Sequence, residues 1–161
     1  DDRERGFADQ IRELGYELSL DVHIGATRSR AHRNMQELAP RVRALDGVFT
    51  PNESTTVAAL LFIGGGPQEE RPLHVGFDLN PELALALLKA EIAGLIVQDP
   101  IGMGYAGVMA MHAALEGRPV ARRSWLPVSY VTRENVLDHA RALGMPMDPV
   151  PEAGDGAQDK D

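Results

Sequence analysis

The chain contains no cysteine. That excludes disulfides and thiolate metal sites and is silent on compartment. It has no apolar run near the ~20 residues that a membrane-spanning helix needs. Its 161 residues are nonetheless 43% hydrophobic, enough for one domain with a real core. Positive charge is in deficit, with 16 Lys and Arg against 24 Asp and Glu and a formal net charge of −8. This balance argues against nucleic acid as a direct partner. Arginines between Arg28 and Arg43 interleave with acids and apolar residues and read as a solvated helix face. The opening Asp1-Asp2-Arg3-Glu4-Arg5 has no Met and no signal-peptide pattern, and reads as the start of a fragment or a processed chain.

Reactive motifs are missing too. No G-x-S-x-G surrounds Ser54, Ser124 or Ser129. His23, His32, His74, His112 and His139 include no i, i+4 pair with a glutamate between. His74, inside an apolar run, reads as a satisfied core or edge residue. No two acids stand out as an acid–base couple. The expectation is a non-enzyme with no cofactor and no metal. Gly102-Met103-Gly104-Tyr105-Ala106-Gly107 fits G-x-G-x-x-G. However, the next extended segment ends Ser129-Tyr130-Val131-Thr132, without the acid that would hold a ribose, and Pro100 occupies the turn. These glycines therefore read as helix-packing positions.

What the chain does have is a rhythm. Three short apolar runs each stop at a polar residue: Gly47 to Pro51 at Asn52, Leu73 to Phe77 at Asp78, and Leu95 to Val97 at Gln98. In open α/β sheets, ligands bind at the carboxyl ends of the strands. Asn, Asp and Gln there supply donors and acceptors suited to hydroxyl-rich molecules. Asp78 is the sharpest of the three, because Asn80 is already the better helix cap. Asn52 could cap the helix that follows it. Gln98 is harder to explain structurally, since Asp99 and Pro100 already begin the next segment.

Periodicity predicts helices over Phe7–Leu14, from a Thr27 cap to about Leu45, over Ser54–Ile63, from an Asn80 cap to about Ala90, over Gly102–Glu116, and from a Thr132 cap to about Leu143. Pro40 should kink or break the second near its end. Strands are predicted at Leu18–Val22, Gly47–Thr50, Leu73–Phe77 and Leu95–Gln98, with a last extended segment at Trp125–Val131. Alternating strands and helices imply a parallel sheet with right-handed crossovers. Gly64 to Arg71 reads as a helix stop and solvated loop. From Met145 on, Pro, Gly and acids dominate, and a disordered tail is expected.

Several segments then align in order: Arg3-x-x-Gly6-Phe7, Met35-Gln36-Glu37-Leu38, Asp46 to Asn52, Val75-Gly76-Phe77-Asp78, Gly94 to Pro100 with Met103-Gly104-Tyr105, and Val131 to Asn135. Together they resemble the C-terminal part of a type I periplasmic sugar-binding protein, closest to the ribose-binding group of ABC-transporter substrate-binding proteins. The resemblance implies an α/β fold, an open parallel sheet flanked by helices in three αβα layers, here incomplete. Residues 1–99 would form the C-terminal ligand-binding lobe without its first strand. Residues 100–144 would be the crossover helix and strand returning toward a missing N-terminal lobe, plus the final helix. Residues 145–161 would be the acidic tail.

The same resemblance implies a function. Arg3, Asn52, Asp78 and Gln98 fall where such proteins hydrogen-bond a monosaccharide, and Asp99-Pro100 falls at the hinge between lobes. The implied partners are that sugar and a membrane permease, and the implied location is periplasmic or extracytoplasmic. The helix Gly102–Glu116 would present Met103, Val108, Met111 and Leu115 to the missing lobe, so the isolated fragment should self-associate. The loop His23–Thr27 lacks the aromatic that the family often stacks on a sugar. The alternative is the sugar-responsive effector domain of a LacI-type regulator.

Overall fold

Asn52 and Asn80 start two helices in the same way. Each has an extended backbone (φ −159° and −138°), and each side chain accepts a hydrogen bond from the amide three residues on: Thr55 N at 3.1 Å and Leu83 N at 2.9 Å. An acid follows in each first turn, Glu53 or Glu82, where the helix dipole favours it. Each helix follows a strand, so the centre of the chain is a β-α-β-α-β run.

The computed structural model describes residues 2–64, 67 and 70–146. Among these, the elements are α1 (Asp2–Glu13), α2 (Arg28–Val42), β1 (Gly47–Phe49), α3 (Glu53–Ile63), β2 (Leu73–Phe77), α4 (Pro81–Leu88), β3 (Gly94–Gln98), α5 (Pro100–Leu115), β4 (Val128–Val131) and α6 (Val136–Ala142). The expected tail beyond residue 146 and part of the loop after Gly64 lie outside the described residues.

The strands form one open sheet in the order β1-β2-β3-β4. β1 and β2 pair in parallel with Phe49 opposite Val75, and β2 and β3 with Phe77 opposite Ile96. β4 pairs antiparallel to β3, with Gln98 opposite Val128. The sheet is therefore mixed rather than wholly parallel. A parallel partner must re-enter at the amino end of its neighbour. Here α5 leaves from the carboxyl end of β3, and the chain returns beside that same end.

Strand residues alternate between two faces. Leu95, Val97 and Val131 join Val57, Leu60, Leu83 and Leu87 in one core cluster, while Val48 packs against a second formed by Ala31, Met35, Ala58 and Ile63. On the other face Phe49 stacks on Phe7 of α1, with centroids 4.7 Å apart and planes at 12°. The sheet thus lies between α1 and the α2–α3–α4 layer. The nearly all-round apolar character of α3 is explained by this position: it contributes to both clusters.

Several sequence expectations are corrected. Leu18–Val22 is not a strand. Its alternation is real, since Leu20 packs on the second cluster, but among the described residues no strand pairs with it, and an unpaired strand leaves its backbone groups unsatisfied. α2 passes through Pro40 and ends two residues later, at Val42 rather than Leu45, with Ala39 and Val42 buried to hold the last turn. Thr27 stands at the cap position but makes no side-chain cap bond. Thr132 does not cap α6. That position belongs to Asn135, whose Oδ1 accepts from Thr132 N (2.8 Å) and whose Nδ2 donates to Tyr130 O (3.1 Å), bracing the end of β4. Among the described residues Gly104 and Gly107 face open space, since a Cβ at either would meet nothing within 4 Å.

α5 buries no residue. Met103, Val108, Met111 and Leu115 are 48, 58, 58 and 83% exposed. Its apolar face stands unpartnered among the described residues.

Candidate functional site

The carboxyl ends of β1, β2 and β3 lie side by side, so the residues that terminate them share one edge. α1 begins at Asp2 rather than near Phe7, which puts Arg3 in its first turn. From there the Arg3 guanidinium reaches that edge. Its Nη1 donates to Pro51 O at 2.8 Å and its Nη2 to Gln98 Oε1 at 3.1 Å. Its Cζ lies 4.1 Å from the centre of the Phe77 ring, close enough for a cation–π attraction. Arg3 thus bridges the ends of β1 and β3 while resting on the end of β2. Three anchors on one planar fork hold it in one orientation.

Gln98 ends β3 and extends the line. Its Nε2 donates to Asp78 Oδ1 at 2.9 Å. The amide orientation is set from both sides, because guanidinium offers only donors and carboxylate only acceptors. Asp78 is one of two non-glycine residues with positive φ among the described residues, at 66°. Its N–H still donates to Ile96 O at 2.9 Å, continuing the β2–β3 ladder. The left-handed turn then ends the strand. Asp tolerates this conformation better than most residues.

The structure therefore brings Arg3, Gln98 and Asp78 into one hydrogen-bonded line. Asn52 sits on the same edge at the end of β1 but does not join it. Its Oδ1 is committed to capping α3, which leaves its amide N–H groups as donors. Asn80 caps α4 and also donates to Glu53 Oε1 at 3.1 Å, so Asp78 carries no capping duty. Asp99 caps α5, its Oδ1 accepting from Gly102 N at 2.8 Å, and a Cβ on Gly102 would collide with that carboxylate. Pro100 occupies the first turn. The chain passes from β3 into α5 with no loop between them.

Chemically, this edge offers a cation, an anion and amide donors. All are fixed by neighbours and none is activated as a nucleophile. A guanidinium and a carboxylate can each bridge neighbouring hydroxyls, and charge-assisted bonds are the stronger kind. The edge is an open wall rather than a pocket. A cavity of about 350 Å³ lies at the opposite end of β2, between Arg71, Glu91 and Arg133.

Sequence reasoning missed two contributors. Phe77, read only as strand core, is the platform under Arg3. Thr56 is fully buried, with its hydroxyl beside both Asn52 and Phe77. The available signal was a pair of threonines, Thr55-Thr56, at the start of an otherwise apolar helix.

Residues 1–119 match the family model described as the periplasmic binding protein domain. Solved structures share the fold. The chain is 31% identical to the periplasmic component of an ABC-type sugar transport system from Hahella chejuensis, over 81% of this chain and 48% of that one, with a TM-score of 0.71. It is 26% identical to a carbohydrate transporter solute binding protein from Agrobacterium radiobacter, solved in complex with D-arabinose, over 88% and 48%, with a TM-score of 0.75. A glucose-galactose binding protein from Geobacillus stearothermophilus matches at 23% identity over 83% and 48%, with a TM-score of 0.73. The chain spans about half the length of each of these proteins. No curated protein matches it.

Proposed function

Because this chain belongs to the periplasmic binding protein domain family, we propose that its polar edge is one wall of a sugar-binding cleft. The protein would be a substrate-binding component of a carbohydrate ABC transporter. The observation that carries this is the Arg3–Gln98–Asp78 line at the carboxyl ends of adjacent strands. It supplies fixed hydrogen-bonding groups where an α/β sheet takes a ligand. The A. radiobacter protein, solved with D-arabinose, supports a monosaccharide as the ligand.

In this proposal Arg3 and Asp78 bridge pairs of sugar hydroxyls, and Asn52 donates through its amide. Gln98 holds the two charged groups at their spacing. Residues 1–99 form the lobe that carries this wall. Residues 100–144 lead α5 toward a second lobe, which supplies the opposite wall. Asp99 and Pro100 mark the hinge, and the lobes close on the sugar by bending there. Closure excludes water and strengthens both charge-assisted bonds. The closed form is what a membrane permease would receive, on the extracytoplasmic side. Among the described residues no helix is long and apolar enough to cross a membrane. The family and the matched structures are binding proteins, consistent with a site that has no activated nucleophile.

The test is calorimetric titration of the full-length protein with D-arabinose, D-fucose, D-tagatose and myo-inositol. Saturable one-to-one binding of at least one is expected. No heat from any of the four, with the protein folded, would overturn the proposal.

A further inference from the structure

A buried polar line runs beneath the candidate site. His74, Thr50 and Thr56 are 2, 6 and 0% exposed. His74 Nε2 lies 2.9 Å from Thr50 Oγ1, which lies 2.9 Å from Thr56 Oγ1. Thr56 Oγ1 lies 2.8 Å from Asn52 O and accepts from Phe77 N at 3.0 Å. His74 Nδ1 is buried with no hydrogen-bond partner among the described residues.

Each hydroxyl has one proton to give, so the line has two possible directions. In one, Nε2–H donates to Thr50, Thr50 to Thr56, and Thr56 to the Asn52 carbonyl at 2.8 Å, which is nearer than its other acceptor, the Phe77 carbonyl at 3.4 Å. Only an imidazole lone pair is then left over. In the other, Thr50 donates to Nε2 and Thr56 to Thr50. The Asn52 carbonyl then keeps the Thr55 hydroxyl and the Thr56 N–H, each at 3.0 Å, and the cost falls on a buried Nδ1–H with no acceptor among the described residues. Orphaned buried donors are the rarer and costlier case.

Thr56 has a second task. β1 stops at Phe49, and among the described residues Thr50 N makes its last bond toward β2, to Val75 O at 3.1 Å. The Phe77 N–H lies beyond it, and the Thr56 hydroxyl takes that bond instead. Gly76 permits the approach, since a Cβ there would strike the Thr56 methyl.

We infer that His74 carries its proton on Nε2, that the line donates in one direction to the Asn52 carbonyl, and that Thr56 is a positioning residue setting Asn52 against Asp78. One hydroxyl grips Asn52 and also the residue just before Asp78, so it fixes the spacing of two groups on the polar edge. The functional half of this rests on the proposed sugar site; the tautomer and the clamp do not.

The test uses the full-length protein, labelled with 15N, and its Thr56→Val and Thr56→Ser variants. In the parent, the His74 ring should show a protonated Nε2 and a bare Nδ1; the opposite tautomer overturns the directional line. Thr56→Val should shift the Phe77 and Asp78 amide signals and the Gln98 side-chain amide, and speed Phe77 N–H exchange at least about tenfold. Thr56→Ser should restore all of these, and a parent-like spectrum in Thr56→Val overturns the clamp. For any of the four sugars that binds the parent, Thr56→Val should weaken binding at least about tenfold, with Thr56→Ser near the parent. Equal affinities in all three proteins overturn the positioning role. If the parent binds none, the sugar proposal fails, while the tautomer and amide signals still decide the clamp.

Discussion

Gln98 gives its amide N–H to Asp78 and takes an N–H from Arg3, so a neutral side chain separates a cation from an anion at 3.1 and 2.9 Å. The arrangement keeps the two charged groups fixed without spending them on a direct pair with each other across that bridge. A hydroxyl-rich ligand can then meet both.

Asp78→Ala in the full-length protein should cost about 2–4 kcal/mol of sugar binding, because it strands the Gln98 amide and the sugar hydroxyls it served. Calorimetry measures this directly. An affinity within twofold of the parent would remove Asp78 from the site.

Asn52 has two separable roles. Asn52→Ala removes the α3 cap and should lower stability by about 1 kcal/mol. Asn52→Ser keeps a capping oxygen and should be nearly neutral to folding. Both lack the amide donor, so both should weaken sugar binding. Urea melts and titrations of the two variants distinguish the roles, and full affinity in Asn52→Ser would make Asn52 a cap alone.

Burial lowers the His74 pKa from 6.5 to about 4. Between these values the unfolded chain binds a proton that the folded chain does not. Stability from this group is complete above pH 6.5, falls as pH drops toward 4, and is level below that. The full loss is about 3 kcal/mol. Carboxylates titrate in the same range, so the measurement is a difference. Parent and His74→Leu should diverge in the pH dependence of their urea midpoints between pH 6.5 and 4. Parallel curves would contradict a buried neutral His74.

The 161-residue chain by itself should self-associate through α5, whose Met103, Val108, Met111 and Leu115 are open to water. Sedimentation velocity should show concentration-dependent association, reduced by the double substitution Val108→Lys and Met111→Glu. The same chain should bind sugar far more weakly than the full-length protein, since one wall bears the costs of association without the other's contacts. A monomer at every concentration would argue against the first expectation. Affinity equal to the full-length protein's would argue against the second.

Much of the fold was legible along the chain because it is locally encoded. Asn52 and Asn80 cap helices through bonds spanning three residues, and apolar runs ending at Asn52, Asp78 and Gln98 mark the strand ends. Such signals need no partner far away in sequence. Leu18–Val22 shows the limit: its alternation is that of a strand, yet a strand exists only through a neighbour, and none among the described residues pairs with it. The direction of β4 was equally hidden, because it depends on where the chain after α5 returns to the sheet.

The sequence by itself determined which polar residues end the strands and which helices follow them, since both are set by contacts within a few residues. Only the tertiary structure decided how those ends work together. Arg3 and Gln98 are 95 positions apart and Gln98 and Asp78 are 20 apart, and their bonds exist because parallel strands place their carboxyl ends on one edge. The same holds for His74, Thr50 and Thr56. Periodicity reads their side chains as two threonines and a core histidine, and packing α3 against β2 makes them one buried hydrogen-bonded line.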